Sequence, residues 1–183
     1  MSLDALDRKD MRYTKTLLRL ALVFTMAHLA ACSSPSQRAW EHYRSGEFAS
    51  AAAGWARLAD QGDADAQFLM GVMYDEGTGV EKDVAVAARW YQRAANQGYA
   101  PAQNNLGLLY YEGRGVTQSH REAAKWFRRS ADQGFASAEN NLGVMYMFGR
   151  ARPTPSESSR TIFQLAATRG ESKAQEILQT LDR

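Results

Sequence analysis

Few side chains in this sequence are placed to do chemistry. Cys32 is the only cysteine, and His28, His42 and His120 are the only imidazoles among 183 residues. A thiol can serve as nucleophile, metal ligand or acceptor of a covalent lipid, but a lone one cannot close an intrachain disulfide. His42 and His120 lie far apart in the chain. His120 stands beside Arg121 in a polar stretch that reads as a solvated loop, a poor setting for a general base. No H-E-x-x-H, G-x-S-x-G or G-K-[ST] phosphate loop is present. Gly77-Thr78-Gly79 looks like a phosphate cradle, yet it returns as Gly113-Arg114-Gly115, which marks a structural turn. Asp75, Glu76 and Glu112 are carboxylates that nothing in the sequence pairs across its length, so they read as a solvated edge. No catalytic residue, metal site or cofactor is expected.

The setting of Cys32 gives that thiol a different use. From Met11 the chain runs MRYTKTLLRLALVFTMAHLAAC. Arg12, Lys15 and Arg19 lead into the mostly apolar stretch Leu20 to Ala31, too short for a membrane-spanning helix, which needs about 20 residues, and of a length suited to a signal-peptide core. Three acids upstream (Asp4, Asp7, Asp10) are foreign to such a signal, so translation is expected to begin at Met11. Leu29-Ala30-Ala31-Cys32 resembles the lipobox of bacterial lipoproteins. That resemblance implies cleavage before Cys32 and attachment of diacylglycerol and a further acyl chain to it, two chains giving a stable anchor. Ser33 stands where aspartate would signal inner-membrane retention, so the resemblance implies the outer membrane. Residues 1–31 are thus expected to be a signal peptide, and 32–38 the lipidated cysteine with a short polar tether.

Removing 1–31 changes the charge. Of 22 basic and 20 acidic residues, five and three lie there, leaving 17 of each. A neutral body gives no general electrostatic reason to bind nucleic acid.

What remains repeats every 36 residues. Gly71, Gly107 and Gly143 keep this interval, as do Tyr74, Tyr110 and Tyr146; Gly77, Gly113 and Gly149; Ala95, Ala131 and Ala167; and Gly98, Gly134 and Gly170. Tyr91, Phe127 and Phe163 share one position, and Trp90, Trp126 and Ile162 another. A fixed period of this length marks a repeat architecture. Each copy divides into two helices. In the second copy these are Ala102 to Glu112 and Arg121 to Gln133, the latter apolar at Ala124, Phe127 and Ala131 and ended by Gly134. Gly107 lies inside the first helix, where glycine costs about 1 kcal/mol relative to alanine, so its recurrence predicts a close helix–helix approach.

Ala66–Val80, Ala102–Val116 and the run from Ala138 resemble the Sel1-like repeat, a relative of the tetratricopeptide repeat. Its signature is roughly A-x3-L-G-x2-Y-x2-G-x-G-V, followed by an aromatic helix and A-x-x-G. The resemblance implies an all-α solenoid of stacked antiparallel helix pairs. The expected organisation is a tetratricopeptide-like pair over 39–63, repeats over 64–99, 100–135 and 136–171, and a capping helix over 172–183. The third repeat departs from the pattern: Ala151 replaces a glycine, and Pro153 and Pro155 enter the loop. Its second helix is expected to start late, near Glu157.

The copies also align with one another, and positions that vary on one face are free to carry function. On the first helix of each repeat, the positions of Phe68, Val72 and Asp75 fall within about 60° of one another. Their equivalents are Asn104, Leu108 and Tyr111, then Asn140, Val144 and Met147. In tetratricopeptide-like solenoids first helices line the concave face, so these nine residues are the candidate partner-binding set. Val72, Leu108 and Val144 read equally well as packing between repeats, and Asn105 and Asn141 as structural. The function expected is a lipid-anchored, periplasm-facing adaptor that holds a protein or peptide segment. The alternatives are a regulator of an envelope signalling protein or, with less support, an enzyme of cell-wall or β-lactam chemistry. The paired cysteines of the Sel1-like proteins that suggest such an enzyme are missing.

Overall fold

A computed structural model describes residues 34–151 and 159–181. All regular structure among them is helical: α1 (Pro35–Arg44), α2 (Phe48–Asp60), α3 (Ala64–Glu76), α4 (Val84–Asn96), α5 (Ala100–Glu112), α6 (His120–Ala131), α7 (Ala136–Met147), α8 (Ser159–Thr168) and α9 (Ser172–Leu181). Each helix packs chiefly on its neighbours in the chain. The molecule is therefore an all-α solenoid, whose stability comes from units and their nearest-neighbour interfaces. The expected signal peptide and lipidation site at Cys32 lie outside the described residues.

The polar tether expected to reach residue 38 is corrected at its start. Ser34 Oγ accepts from Gln37 N at 3.1 Å, and Gln37 Oε1 accepts from Ser34 N at 2.8 Å. This reciprocal cap, with Pro35 in the first turn, starts α1. Ser-Pro-x-Gln is a helix start whose composition reads as a linker. Side-chain caps also start two of the second helices: Asp83 caps α4 and Ser119, 36 residues on, caps α6. α6 therefore starts at His120 and ends at Ala131, against the expected 121–133.

The recurring mid-helix glycines sit under aromatic rings. A Cβ on Gly107 would stand 2.7 Å from the ring of Phe127, which is fully buried. Gly71 and Tyr91, and Gly143 and Phe163, repeat the contact at 2.5 and 2.8 Å. The ring burial gained by close approach offsets the low helix propensity of glycine.

A second close approach fixes the turn after each first helix. Gly115, at φ +68°, rests on the start of α4, where a Cβ would be 2.5 Å from the Val84 carbonyl carbon. Gly79 rests on Phe48 in the same way, 2.4 Å from its carbonyl oxygen. Ala151 takes this place in the third repeat, and no non-glycine residue described has a positive φ. The third turn therefore follows another path. α7 stops at Met147, one residue earlier in register than α3 and α5. The start expected for the following helix, near Glu157, lies outside the described residues.

Polar side chains tie adjacent repeats. Gln67 Nε2 donates to Ala59 O at 3.0 Å, and its Oε1 accepts from Gln97 Nε2 at 2.8 Å. Gln103 and Gln133 do the same one repeat later, at 3.1 and 2.8 Å. In the third repeat Glu139, 1% exposed, holds the buried glutamine's place, and Arg169 pairs with it.

Candidate functional site

The nine first-helix positions do share one side of α3, α5 and α7, but their environments differ. Phe68 is half-buried, its ring 5.8 Å from that of Tyr91 and 5.3 Å from that of Tyr99. Val72, Leu108 and Val144 each pack against the core cluster of the helices that follow them. Of the two readings available from sequence, these three fit inter-repeat packing. Asn104 and Asn140 are buried, each 6% exposed. Asn104 Oδ1 accepts from Asn141 Nδ2 at 2.9 Å, and Asn104 Nδ2 donates to Asn105 Oδ1 at 3.3 Å. The amide lining expected at Asn104 and Asn140 is thus corrected: at Asn104 the amide bonds the neighbouring repeat, because an amide this deep needs partners inside the protein. Burial pushes the pKa of the Tyr91 hydroxyl up to about 12, with the neighbouring Asn105 side chain acting in the opposite direction. Tyr111 is half-buried and Met147 is exposed, which leaves Phe68, Tyr111 and Met147 as the apolar surface of this face.

Asp75 is not an unpaired edge residue. Arg114 Nη1 reaches Asp75 Oδ1 at 2.7 Å across the repeat boundary, and Arg114 Nε reaches Glu112 Oε2 at 2.5 Å. The expectation that nothing pairs these acids is corrected. The two carboxylates, Glu112 first, raise the pKa of Arg114 further. The corresponding arginine of the next repeat, Arg150, meets no such pair. Its guanidinium lies 5.1 Å from the ring centroid of Tyr111 and 5.7 Å from that of Phe148, the residues that replace Asp75 and Glu112 after a shift of 36.

His120 is corrected as well. It opens α6, is half-buried, and its ring lies 5.3 Å from that of Tyr111. It therefore borders the candidate face instead of standing apart in a solvated loop. Its Nδ1 is buried without a hydrogen-bond partner among the described residues. His42, in α1, bonds Glu47 at 2.6 Å on the exposed surface.

Two open grooves lie at equivalent places on the second helices. One, of about 670 Å³, runs along α4 past Tyr74, Trp90, Arg93 and Tyr110. The other, of about 630 Å³, runs along α6 to Arg150 and Ala151. Among the described residues no cluster of three potential metal ligands occurs, and no helix is long and apolar enough to cross a membrane. Arg114, Arg150 and the groove along α6 escaped the sequence reading. The signal for them was available, because the 36-residue offset alone pairs Asp75 with Tyr111 and Glu112 with Phe148.

Comparison with known proteins agrees with this geometry. The Sel1 repeat model matches residues 64–99, 100–135 and 136–171. A Sel1 repeat protein from Oxalobacter formigenes superposes with a TM-score of 0.72 at 33% identity, over 80% of this chain and 58% of that one. A protective antigen present in uropathogenic Escherichia coli strains, displaying an SLR fold, superposes with a TM-score of 0.67 at 36% identity, over 72% of this chain and 28% of that one. The chain thus spans little more than half of the first protein and a smaller part of the second. None of the curated proteins compared matches it. Sel1 repeat proteins act as protein-interaction scaffolds. With three matched repeats covering more than half its length and the ring-on-glycine packing repeated in each, this chain belongs to the Sel1 repeat family.

Proposed function

We propose that this chain is a lipid-anchored scaffold of the bacterial cell envelope, held by Cys32 at the outer membrane and facing the periplasm, where it binds a partner protein through the solenoid. The observation that carries the scaffold reading is the contrast within the first helices. Positions that build the stack repeat in type, whereas Phe68, Asp75, Tyr111 and Met147 change from copy to copy while sharing one side. The anchor rests on Leu29-Ala30-Ala31-Cys32 after a basic and apolar leader. Ser34 starts α1 two residues after Cys32, so an acylated cysteine would hold the solenoid against the bilayer surface with almost no slack.

Two measurements test the two halves of this reading. In a native host, wild-type protein should fractionate with membranes and carry acyl mass, and Cys32→Ser should lose both. A freely soluble wild-type protein without acyl mass removes the anchor. For the scaffold, a saturable partner should be captured from detergent-solubilised envelopes. Phe68→Ala combined with Met147→Ala should weaken it about 30-fold if these side chains anchor the interface, since such anchors contribute about 2 kcal/mol or more. Unchanged capture by a double variant of normal helicity removes this face from the function.

A further inference from the structure

The groove along α6 carries more cationic side chains than its counterpart one repeat earlier. Arg121, Lys125, Arg128 and Arg150 line it, with Glu122 as its one carboxylate among the described residues. The corresponding wall along α4 carries Ala85, Val86, Arg89, Gln92 and Arg93, two cations against four. The two grooves lie at equivalent places on the second helices and differ in the side chains that line them and in the turn that borders them. The difference in charge also follows a larger asymmetry. Residues 32–99 hold six basic and nine acidic side chains, and residues 100–183 hold eleven and eight, so a body that is neutral in sum is acidic at one end and basic at the other.

Arg150 is the centre of this groove. Arg114, its equivalent, is neutralised by Asp75 and Glu112. Arg150 instead lies exposed against Tyr111 and Phe148, with no carboxylate paired to it among the described residues. Aromatic rings hold a guanidinium by its face and leave the in-plane N–H donors available. Such a fork is suited to receive a carboxylate with two parallel hydrogen bonds. Lys125 is shared with Glu122 at 3.2 Å, and Arg128 donates to the Tyr146 hydroxyl, so these two shape the groove while Arg121 adds exposed charge at its rim.

We infer that this groove binds an extended, acidic peptide segment of the partner protein, with one glutamate or aspartate of that segment seated on Arg150. The inference rests on the scaffold reading and adds the chemistry of what is bound. A concave groove of about 630 Å³ is of a size for a few side chains, and the fork of Arg150, held by its two rings, suits a carboxylate seated at one point.

The test uses the full-length protein in a neutral detergent and a fluorescein-labelled peptide of alternating glutamate and glycine, followed by anisotropy at low salt. A glutamine–glycine peptide is the control. The acidic peptide should bind and the control should not, and added salt should weaken binding. Arg150→Gln should reduce affinity about tenfold or more, as expected for loss of a charge-assisted pair. Tyr111→Asp with Phe148→Glu, which rebuilds around Arg150 the carboxylates that Arg114 has, should reduce it similarly although Arg150 remains. Arg89→Gln, in the other groove, should leave affinity unchanged. Equal binding of the two peptides, or full affinity in Arg150→Gln, overturns the inference. So does Arg150-dependent binding to phosphatidylglycerol vesicles, or Arg150-dependent self-association, without peptide binding. Each of these outcomes leaves the scaffold reading standing, since that is judged by capture through Phe68 and Met147.

Discussion

The second and third repeats place the same backbone positions in nearly the same arrangement and fill them with different chemistry. After α5, Gly115 lies against the start of α4 and Arg114 is clamped between two carboxylates. After α7, alanine replaces the glycine and the arginine lies against two rings. Under α5 a glutamine pairs with a glutamine, and under α7 a glutamate pairs with an arginine. The shared features, a ring on a mid-helix glycine and a chain of neighbour contacts, are what a solenoid needs in order to stack. The features that differ all concern charge or the freedom of the turn. Architecture is thus carried by a small set of positions, and the rest of each repeat is available for binding.

The largest test of this contrast is the exchange of glycine and alanine between the two turns. Gly115→Ala places a methyl against the Val84 backbone, at a φ of +68° that side chains avoid. Left-handed strain of about 1–2 kcal/mol and overpacking of about 1–3 kcal/mol give an expected loss of about 3 kcal/mol. Ala151→Gly meets no such contact and should change stability by less than about 1 kcal/mol, the cost of a freer unfolded chain. Thermal unfolding of the two variants measures the difference. Equal losses would mean that the third turn is clamped like the second, and the comparison would fail.

The buried pairs provide the next test. Glu139 is 1% exposed and its partner Arg169 is 39% exposed. Arg169→Ala strands a buried carboxylate, and with water recovering part of the loss at the exposed end, about 2 kcal/mol is expected. Glu139→Gln combined with Arg169→Gln restores the amide pair of the earlier repeats and should be near neutral. If denaturant unfolding finds the double variant as unstable as Arg169→Ala, the amide and ionic pairs are not interchangeable, and the third repeat is built on a different interface.

Much of this fold is legible in the sequence because each repeat reports on the others. The 36-residue period, the glycine at 107 and the ring at 127 identify the helix pairs and their closest approach without coordinates. Helix starts were harder to read. Ser34-Pro35 has the composition of a linker, and only the reciprocal hydrogen bonds of Ser34 and Gln37 make it a cap. The candidate face is legible in direction but not in depth. Helical angle puts Asn104 beside Tyr111, yet how deeply each sits depends on the neighbouring repeat, and Asn141 draws Asn104 inward. Cross-repeat charge was overlooked because Arg114 was read as part of a turn, although its partner Asp75 lies just beyond one repeat behind it.

The smallest expected effect separates a structural arginine from a functional one. Arg114→Gln removes two hydrogen-bonded ion pairs and leaves Asp75, whose side chain is only 20% exposed, without its cation. Exposed pairs contribute little, but the arginine is 44% exposed and bridges two repeats, so a loss of about 1 kcal/mol is expected, shrinking as salt is added. Arg150→Gln gives up only its contacts with two rings at the surface, and its effect on stability should stay within about 0.5 kcal/mol. Paired unfolding curves at low and high salt decide the matter. A salt-sensitive loss in Arg114→Gln beside an unchanged midpoint in Arg150→Gln assigns the first arginine to the stack and leaves the second available for a ligand. If Arg150→Gln proves as costly as Arg114→Gln, Arg150 is holding the third turn in place, and any fall in peptide binding by that variant must be attributed to the turn.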